Sequence, residues 1–252
     1  MLYGVYRLKR RLALAFCFVI LFVLSGVLYN GPAITVSYRG KELPVYSVET
    51  PEMKVSLGFN CAWDNSDIPK LISVLEDHDV KATFFLSGEW CDRYPESVKT
   101  LKSAGHEIGS HSNTHADLAR LGKNSIIKEI TLCNDKIKAL TGSAPELFRM
   151  PSGSYNNLVI KTIREQGMEP IQWDIDTVDY KNPSPNEMRA NIASNLRKGS
   201  IILLHSGAKN TPDALPGILE DIKSAGYRVV PVSELLLKGP YTLDHEGRQH
   251  PR

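Results

Sequence analysis

The chain has 252 residues, 42% hydrophobic and 23% charged, which excludes a wholly disordered chain, a collagen and a multi-span membrane protein. Lys plus Arg number 30 against 28 Asp plus Glu, a net charge of +2, and four of the cations, Arg7, Lys9, Arg10 and Arg11, fall within the first eleven residues. The remainder is close to neutral and lacks the basic footprint of a nucleic-acid-binding protein.

Residues 1–11 read as a basic cytoplasmic segment. Leu12 to Tyr29 (LALAFCFVILFVLSGVLY) carries no charge, and at about 18 residues it reaches the length of a membrane span. The basic cluster before it keeps the N-terminus in the cytoplasm and sends the rest outward, by the positive-inside rule. A cleaved signal peptide is the rival reading. The long apolar stretch and the lack of a clean A-x-A site favour an uncleaved single-pass anchor in the cell membrane. Residues 30–52 form a linker, in which Ile34–Arg39 is a short strand candidate broken up by Gly31, Pro32, Gly40, Pro44 and Pro51.

A regular alternation follows over residues 53–238. Strands are predicted at Lys54–Phe59, Ala82–Leu86, Glu107–Gly109, Leu147–Phe148, Pro170–Trp173, Ser200–Leu204 and Arg228–Val230. Helices are predicted at Asp67–Asp77, Glu96–Ser103, Ser125–Leu140 with Asn124 as N-cap, Asn157–Gln166, Ser184–Leu196, Asp213–Ala225 and Ser233–Leu237. Ser184-Pro185-Asn186-Glu187 is a capping-box start. The polar tail, residues 239–252, is expected to be disordered from Thr242 onward. Short apolar strands alternating with helices imply an α/β fold with a parallel sheet, and about seven repeats fit an α/β barrel, complete or not, better than a doubly wound sheet. No glycine-rich phosphate loop follows any strand, so nucleotide is not an expected ligand. Cys61, Cys91 and Cys133 are unevenly spaced without a C-x-x-C pair and allow at most one disulfide.

In α/β folds, sites form at the C-terminal ends of the strands. There stand Asn60, Trp63, Asp64 and Asn65, then His111 and His115, then Arg149 with Met150-Pro151-Ser152-Gly153, then Asp174, Asp176 and Asp179, and finally His205. The H-x-x-x-H spacing of His111 and His115 lets two imidazoles meet one metal. Each of these groups alone would be an ordinary loop or core residue. Their arrival on one rim from five strands is what points to hydrolytic chemistry.

This constellation resembles carbohydrate esterase family 4, the polysaccharide deacetylases with a NodB-homology domain, from about Met53 to Leu237. His111–His115 (HSNTH) is similar to the family's H-[ST]-x-x-H metal motif, FRMPSG from Phe148 to its R-x-P motif, and Asp176–Tyr180 (DTVDY) to its D-x-x-D-W motif. Leu203–His205 resembles its last motif, while SLGFNCAWD stands in place of TFDDG. The resemblance implies a distorted (β/α) barrel. It also implies a divalent metal, zinc foremost, on His111 and His115. Arg149 would orient the group at position 60, Ser152 would offer a backbone N–H to the oxyanion, and Asp179 would tune His205 as the general acid. Leu203 would line the acetyl pocket, and Tyr180, replacing the family's Trp, would wall the groove beside Trp63.

The departure lies at Asn60 and Cys61, which occupy the family's base and metal-ligand positions. An amide is not a base near neutral pH. Cys61 would be either a thiolate ligand or a small buried residue. Asp64 is the candidate replacement base or third metal ligand, and the Asn65 amide oxygen an alternative. Two functions are therefore expected. One is a membrane-anchored, metal-dependent hydrolase that removes acetyl groups from N-acetylated cell-wall polysaccharide such as peptidoglycan. The other is a catalytically impaired relative that binds glycan as a wall-associated module. An O-acetyl esterase would use the same machinery.

Overall fold

The computed structural model describes residues 40–252. The apolar stretch Leu12–Tyr29, the candidate strand Ile34–Arg39 and the basic residues 1–11 lie outside the described residues. Among the described residues no helix is long and apolar enough to cross a membrane.

The chain enters through β1 (Ser47–Val48) and runs up the central strand β2 (Lys54–Cys61). There follow α1 (Ile68–Asp77), β3 (Thr83–Leu86), α2 (Gly88–Arg93), α3 (Pro95–Ser103), β4 (Glu107–Ser110) and the long α4 (Lys123–Thr141). The second half continues with β5 (Leu147–Arg149), α5 (Asn157–Glu165), β6 (Glu169–Ile171), β7 (Ile175–Asp176), α6 (Pro185–Asn195) and β8 (Ile201–His205). It ends with α7 (Thr211–Ser224), β9 (Arg228–Val229), α8 (Val232–Leu235), β10 (Tyr241–Leu243) and β11 (Arg248–Pro251). Seven parallel strands lie in the order β6-β5-β4-β3-β2-β8-β7, and β9 pairs in parallel with the start of β2. This is the incomplete α/β barrel that the alternation implies, a half-barrel open between β6 and β7.

Strand β2 shows how the sequence builds the layers. With a side-chain period of two, Val55, Leu57, Phe59 and Cys61 enter the core cluster shared with the helices. Ser56, Gly58 and Asn60 take the opposite face, where Gly58 meets Arg149. In α1, Ile68, Leu71, Ile72 and Leu75 are the buried residues, the spacing of a one-sided helix. Ser184 and Glu187 form the expected capping box of α6, and Gly142 ends α4 in the left-handed conformation at φ 79°. The cap of α4 departs from expectation. It is Gly122 rather than Asn124, and it makes no side-chain hydrogen bond. Helix α2 and strand β7 are too short to leave a periodic signature. Cys61, Cys91 and Cys133 are buried free thiols.

Two segments read as passive are structural. The lead-in spans the open seam of the half-barrel. Val45 N–H donates to Pro170 O at 2.9 Å, Gln172 N–H donates to Val45 O at 2.7 Å, and Val48 N–H donates to Gly199 O at 2.9 Å. The tail is not disordered in this structure. β10 and β11 form an antiparallel pair, and β11 runs parallel to β1. Tyr241 and Leu243 from the tail join Val45, Val48, Ile171 and Ile201 in one apolar cluster. Burial of these residues supplies the driving force that the polar tail composition hides.

One close approach fixes the interior. A Cβ at Gly58 would lie 2.4 Å from the Arg149 guanidinium. Gly58→Ala is therefore expected to displace Arg149 and to cost about 1–3 kcal/mol of stability, as overpacking typically does. Urea denaturation checks this, and an unchanged midpoint would mean that Arg149 moves aside freely.

Candidate active site

The site stands at the C-terminal rim of the strands. β2 delivers Asn60, the turn after β4 delivers His111 and His115, β5 ends on Arg149, β7 ends on Asp176, and β8 ends on His205. Asn60, Ala62, Trp63, His115, Ser152, Trp173, Asp176, Tyr180, Leu203 and His205 surround a pocket of about 360 Å³.

The best-formed part is the His205–Asp179 dyad. Asp179, 1% exposed, accepts from His205 Nδ1 at 2.7 Å through Oδ1. Its Oδ2 accepts from the His205 backbone N–H at 2.7 Å and from Thr211 Oγ1 at 2.8 Å. A carboxylate on Nδ1 fixes the tautomer and leaves Nε2 as the other functional nitrogen of the ring. Trp63 stacks on the imidazole, with centroids 5.0 Å apart at 16°, and Tyr180 meets it edge-on at 5.7 Å. Trp63 and Tyr180 are 42% and 45% exposed, so the imidazole sits between two aromatic rings open to solvent. Leu203 is buried in the pocket wall, and Ser152 is held at φ 53° in the turn after β5.

Arg149 is completely buried. Its Nη1 donates to Gly58 O at 3.0 Å and Asn60 Oδ1 at 3.2 Å, and its Nη2 donates to Gln172 O at 3.3 Å. The guanidinium lies 4.0 Å from the centre of the Phe85 ring. Every one of these partners is neutral, and no carboxylate among the described residues pairs with it. Burial alone lowers the Arg149 pKa to about 9. A guanidinium can only donate, so Asn60 must turn its oxygen to Arg149. That leaves a donor, Nδ2, where a base would need an acceptor.

His111 is buried, and its Nδ1 lies 2.8 Å from Arg149 O. A carbonyl can only accept, so Nδ1 carries the proton and Nε2 keeps its lone pair. That Nε2 is buried without a partner. Burial, reinforced by His115, holds His111 well below the usual histidine range, and partial burial with His205 nearby lowers His115. The two rings are 5.0 Å apart at 71°. Neutral imidazoles with one orphaned nitrogen fit a divalent cation. A catalytic zinc ordinarily takes three protein donors, and no cluster of three His, Cys, Asp or Glu fit for a metal exists among the described residues.

The expected third donors make other contacts. Asp64 is exposed, and its Oδ1 accepts the Ser66 N–H and Oγ–H, both at 2.8 Å, closing a local turn. Asp64 is not among the residues that line the pocket, and its carboxylate is turned to Ser66. Cys61 continues the outward-facing row of β2, and burial raises its thiol far above the range in which a thiolate forms. The Asn65 amide nitrogen donates to Ser97 Oγ at 2.8 Å.

Four contributors escaped the sequence. Trp173 lines the pocket without a motif to mark it. Thr211 anchors Asp179 from the start of α7. Asp67, raised to about 6 chiefly by burial, accepts the Gly207 N–H at 2.8 Å and ties down the loop after His205. Glu129 on α4 reaches the histidine loop. Burial raises its carboxyl, but donors from Ser112, Thr114 and Asn113 outweigh that and hold it below the usual range.

The polysaccharide deacetylase family profile matches residues 47–171. The chain is 33% identical to the uncharacterized protein YlxY of Bacillus subtilis over 77% of its own length and 60% of that protein. It thus spans less than two thirds of that relative. It is 33% identical to a peptidoglycan-N-acetylglucosamine deacetylase of Bacillus cereus, over 76% of this chain and 92% of that one. Among solved structures it is similar to a CE4 family pseudoenzyme from Bacillus anthracis, at 33% identity and a TM-score of 0.75, over 79% of this chain and 70% of that one. A mutant of that pseudoenzyme, described as having restored enzymatic activity, superposes equally well. The chain belongs to the polysaccharide deacetylase family, carbohydrate esterase family 4, whose homologues matched here include hydrolases named peptidoglycan deacetylases.

Proposed function

We propose that this chain binds N-acetylated cell-wall glycan, peptidoglycan foremost, in the groove walled by Trp63 and Tyr180, and removes its acetyl groups with low turnover. The observation that carries this reading is the His205–Asp179 pair, joined by a 2.7 Å hydrogen bond inside the aromatic pocket. Hydrolysis of an acetamide adds water across the C–N bond, releasing acetate and a free amine. The leaving nitrogen needs a proton, and His205 Nε2 supplies it while Asp179 holds Nδ1–H and stabilises the charged ring. Leu203 and Trp173 receive the acetyl methyl, and the turn at Ser152 offers a backbone N–H to the developing oxyanion. His111 Nε2 and the His115 ring would hold a divalent ion. Zinc suits two imidazoles and water, and its chemistry there is to polarise the carbonyl and acidify a water.

What the site lacks is a base. Asn60 presents an amide, and Asp64 is engaged with Ser66. Low turnover follows from that pairing of an intact acid with a neutral group opposite it. The same two residues, with the missing third donor and the likeness to a pseudoenzyme, favour a second reading, a glycan-binding relative without turnover.

Acetate release from peptidoglycan and N-acetylglucosamine oligomers, with and without added zinc, separates the two. Wild type is expected to be weakly active. His205→Ala is expected to lose that activity, and Asn60→Asp to raise it by about 10²-fold or more, the usual worth of general-base assistance. Wild type and Asn60→Asp both inactive with metal bound, while glycan binding persists, would establish the binding reading instead.

Leu12–Tyr29 would tether the domain to the outer side of the cell membrane, as its length and basic flank suggest. Protease added to intact protoplasts is then expected to remove the barrel domain. A domain digested only after lysis would contradict this.

A further inference from the structure

The loop from His111 to His115 is held against its own backbone preference. Ser112 and His115 both lie in the left-handed region, at φ 68° and 58°, where residues with a Cβ are disfavoured. Glu129, on the outer helix α4, supplies the restraint. Its Oε2 accepts from Ser112 Oγ at 2.6 Å, from the Asn113 N–H at 3.0 Å and from the Thr114 N–H at 2.9 Å. Its Oε1 accepts from Thr114 Oγ1 at 3.1 Å. A single carboxylate thus takes donors from every residue between the two histidines.

The loop is braced on its other side as well. The Gly88 and Glu89 N–H groups donate to Ser112 O and Asn113 O at 3.0 and 2.9 Å. Lys136 Nζ donates to Asn113 Oδ1 at 2.7 Å and pairs with Asp92 at 2.6 Å. These bonds hold the loop's carbonyls and one amide side chain. Among the described residues it is Glu129 that takes the Asn113 and Thr114 N–H groups and the Ser112 and Thr114 hydroxyls.

We propose that Glu129 is a positioning residue that sets the mutual placement of the His111 and His115 imidazoles, and through it their affinity for a divalent cation. The affinity part rests on the reading that this pair holds a metal. The placement part does not. No third His, Cys, Asp or Glu joins the two imidazoles among the described residues, so the affinity of the pair depends on the loop geometry. Groups that orient metal ligands from outside the coordination sphere typically change affinity by about 10–100-fold.

The test uses the full chain, stripped of metal, as wild type, Glu129→Ala and Glu129→Gln. Zinc affinity is read by competition with a chromophoric chelator, and imidazole ¹⁵N shifts are read without metal. Glu129→Ala is expected to bind zinc about 10–100-fold more weakly and to shift the His115 ring signals while those of His106 stay in place. Glu129→Gln keeps an oxygen acceptor but loses the charge that strengthens its bonds. It is expected to fall between the two, and it decides the matter if the Ala variant does not fold. Wild-type affinity and unmoved His115 signals in the folded variants would overturn the proposal. A wild type that takes up no zinc would overturn the affinity part and the metal reading together, and the ring signals would then decide placement by themselves.

Discussion

Arg149 crosses the interior of the half-barrel with a guanidinium that no carboxylate among the described residues neutralises. It ties β2 to the segment after β6 through Gly58 O and Gln172 O, it fixes Asn60 through Oδ1, and its own carbonyl receives His111 Nδ1. The glycine at 58 exists to let it pass, since a Cβ there would overlap it. One side chain and its carbonyl thus orient both the group at position 60 and the first imidazole. A buried charge surrounded only by neutral acceptors is an expensive arrangement, softened here by the Phe85 and Trp173 rings. It makes physical sense as the remainder of a site in which position 60 would carry the opposite charge.

The two halves of the pocket differ accordingly. On the β8 side the proposed acid has all its partners: a buried carboxylate, a fixed imidazole, and a threonine and a backbone N–H holding the carboxylate. On the β2 side the amide of Asn60 and the apolar setting of Cys61 replace what hydrolysis calls for. The imidazole pair follows β4 on the same rim, neutral by burial and held by Glu129. An exposed aromatic pair, Trp63 and Tyr180, flanks the His205 ring. In the proposed reading, sugar binding and proton donation keep their groups, while water activation is the part left short.

Much of this was legible in the chain. Alternating short apolar strands and capped helices gave the barrel, and strand-end placement gathered His111, His115, Arg149, Asp179 and His205 on one rim. The capping box at Ser184 is a local signal, and local signals read well. Long-range pairing does not. The polar tail carries no apolar run, yet it finds β1 through backbone bonds and two buried side chains, Tyr241 and Leu243. Nearness in sequence to Asn60 does not say where the Asp64 carboxylate turns, and Ser66, two residues on, binds it. The fate of Cys61 was available from parity, since Val55, Leu57 and Phe59 already assign its face to the core. Glu129 had no signal, being one charge on a helix that faces mostly solvent.

The central claim is that Asn60 leaves Arg149 buried without its counter-charge in an otherwise organised site. The melting temperature of metal-free Asn60→Asp against wild type at neutral pH tests it most directly, because it requires no substrate and no metal. A charge-assisted bond from Arg149 is worth about 1.5–3 kcal/mol, and about 2–4 °C is expected for each kcal/mol in a domain of this size. The account predicts that the variant melts several degrees higher despite placing a new carboxylate in a buried position. An equal or lower melting temperature would mean that the charge of Arg149 is already compensated, and would contradict it.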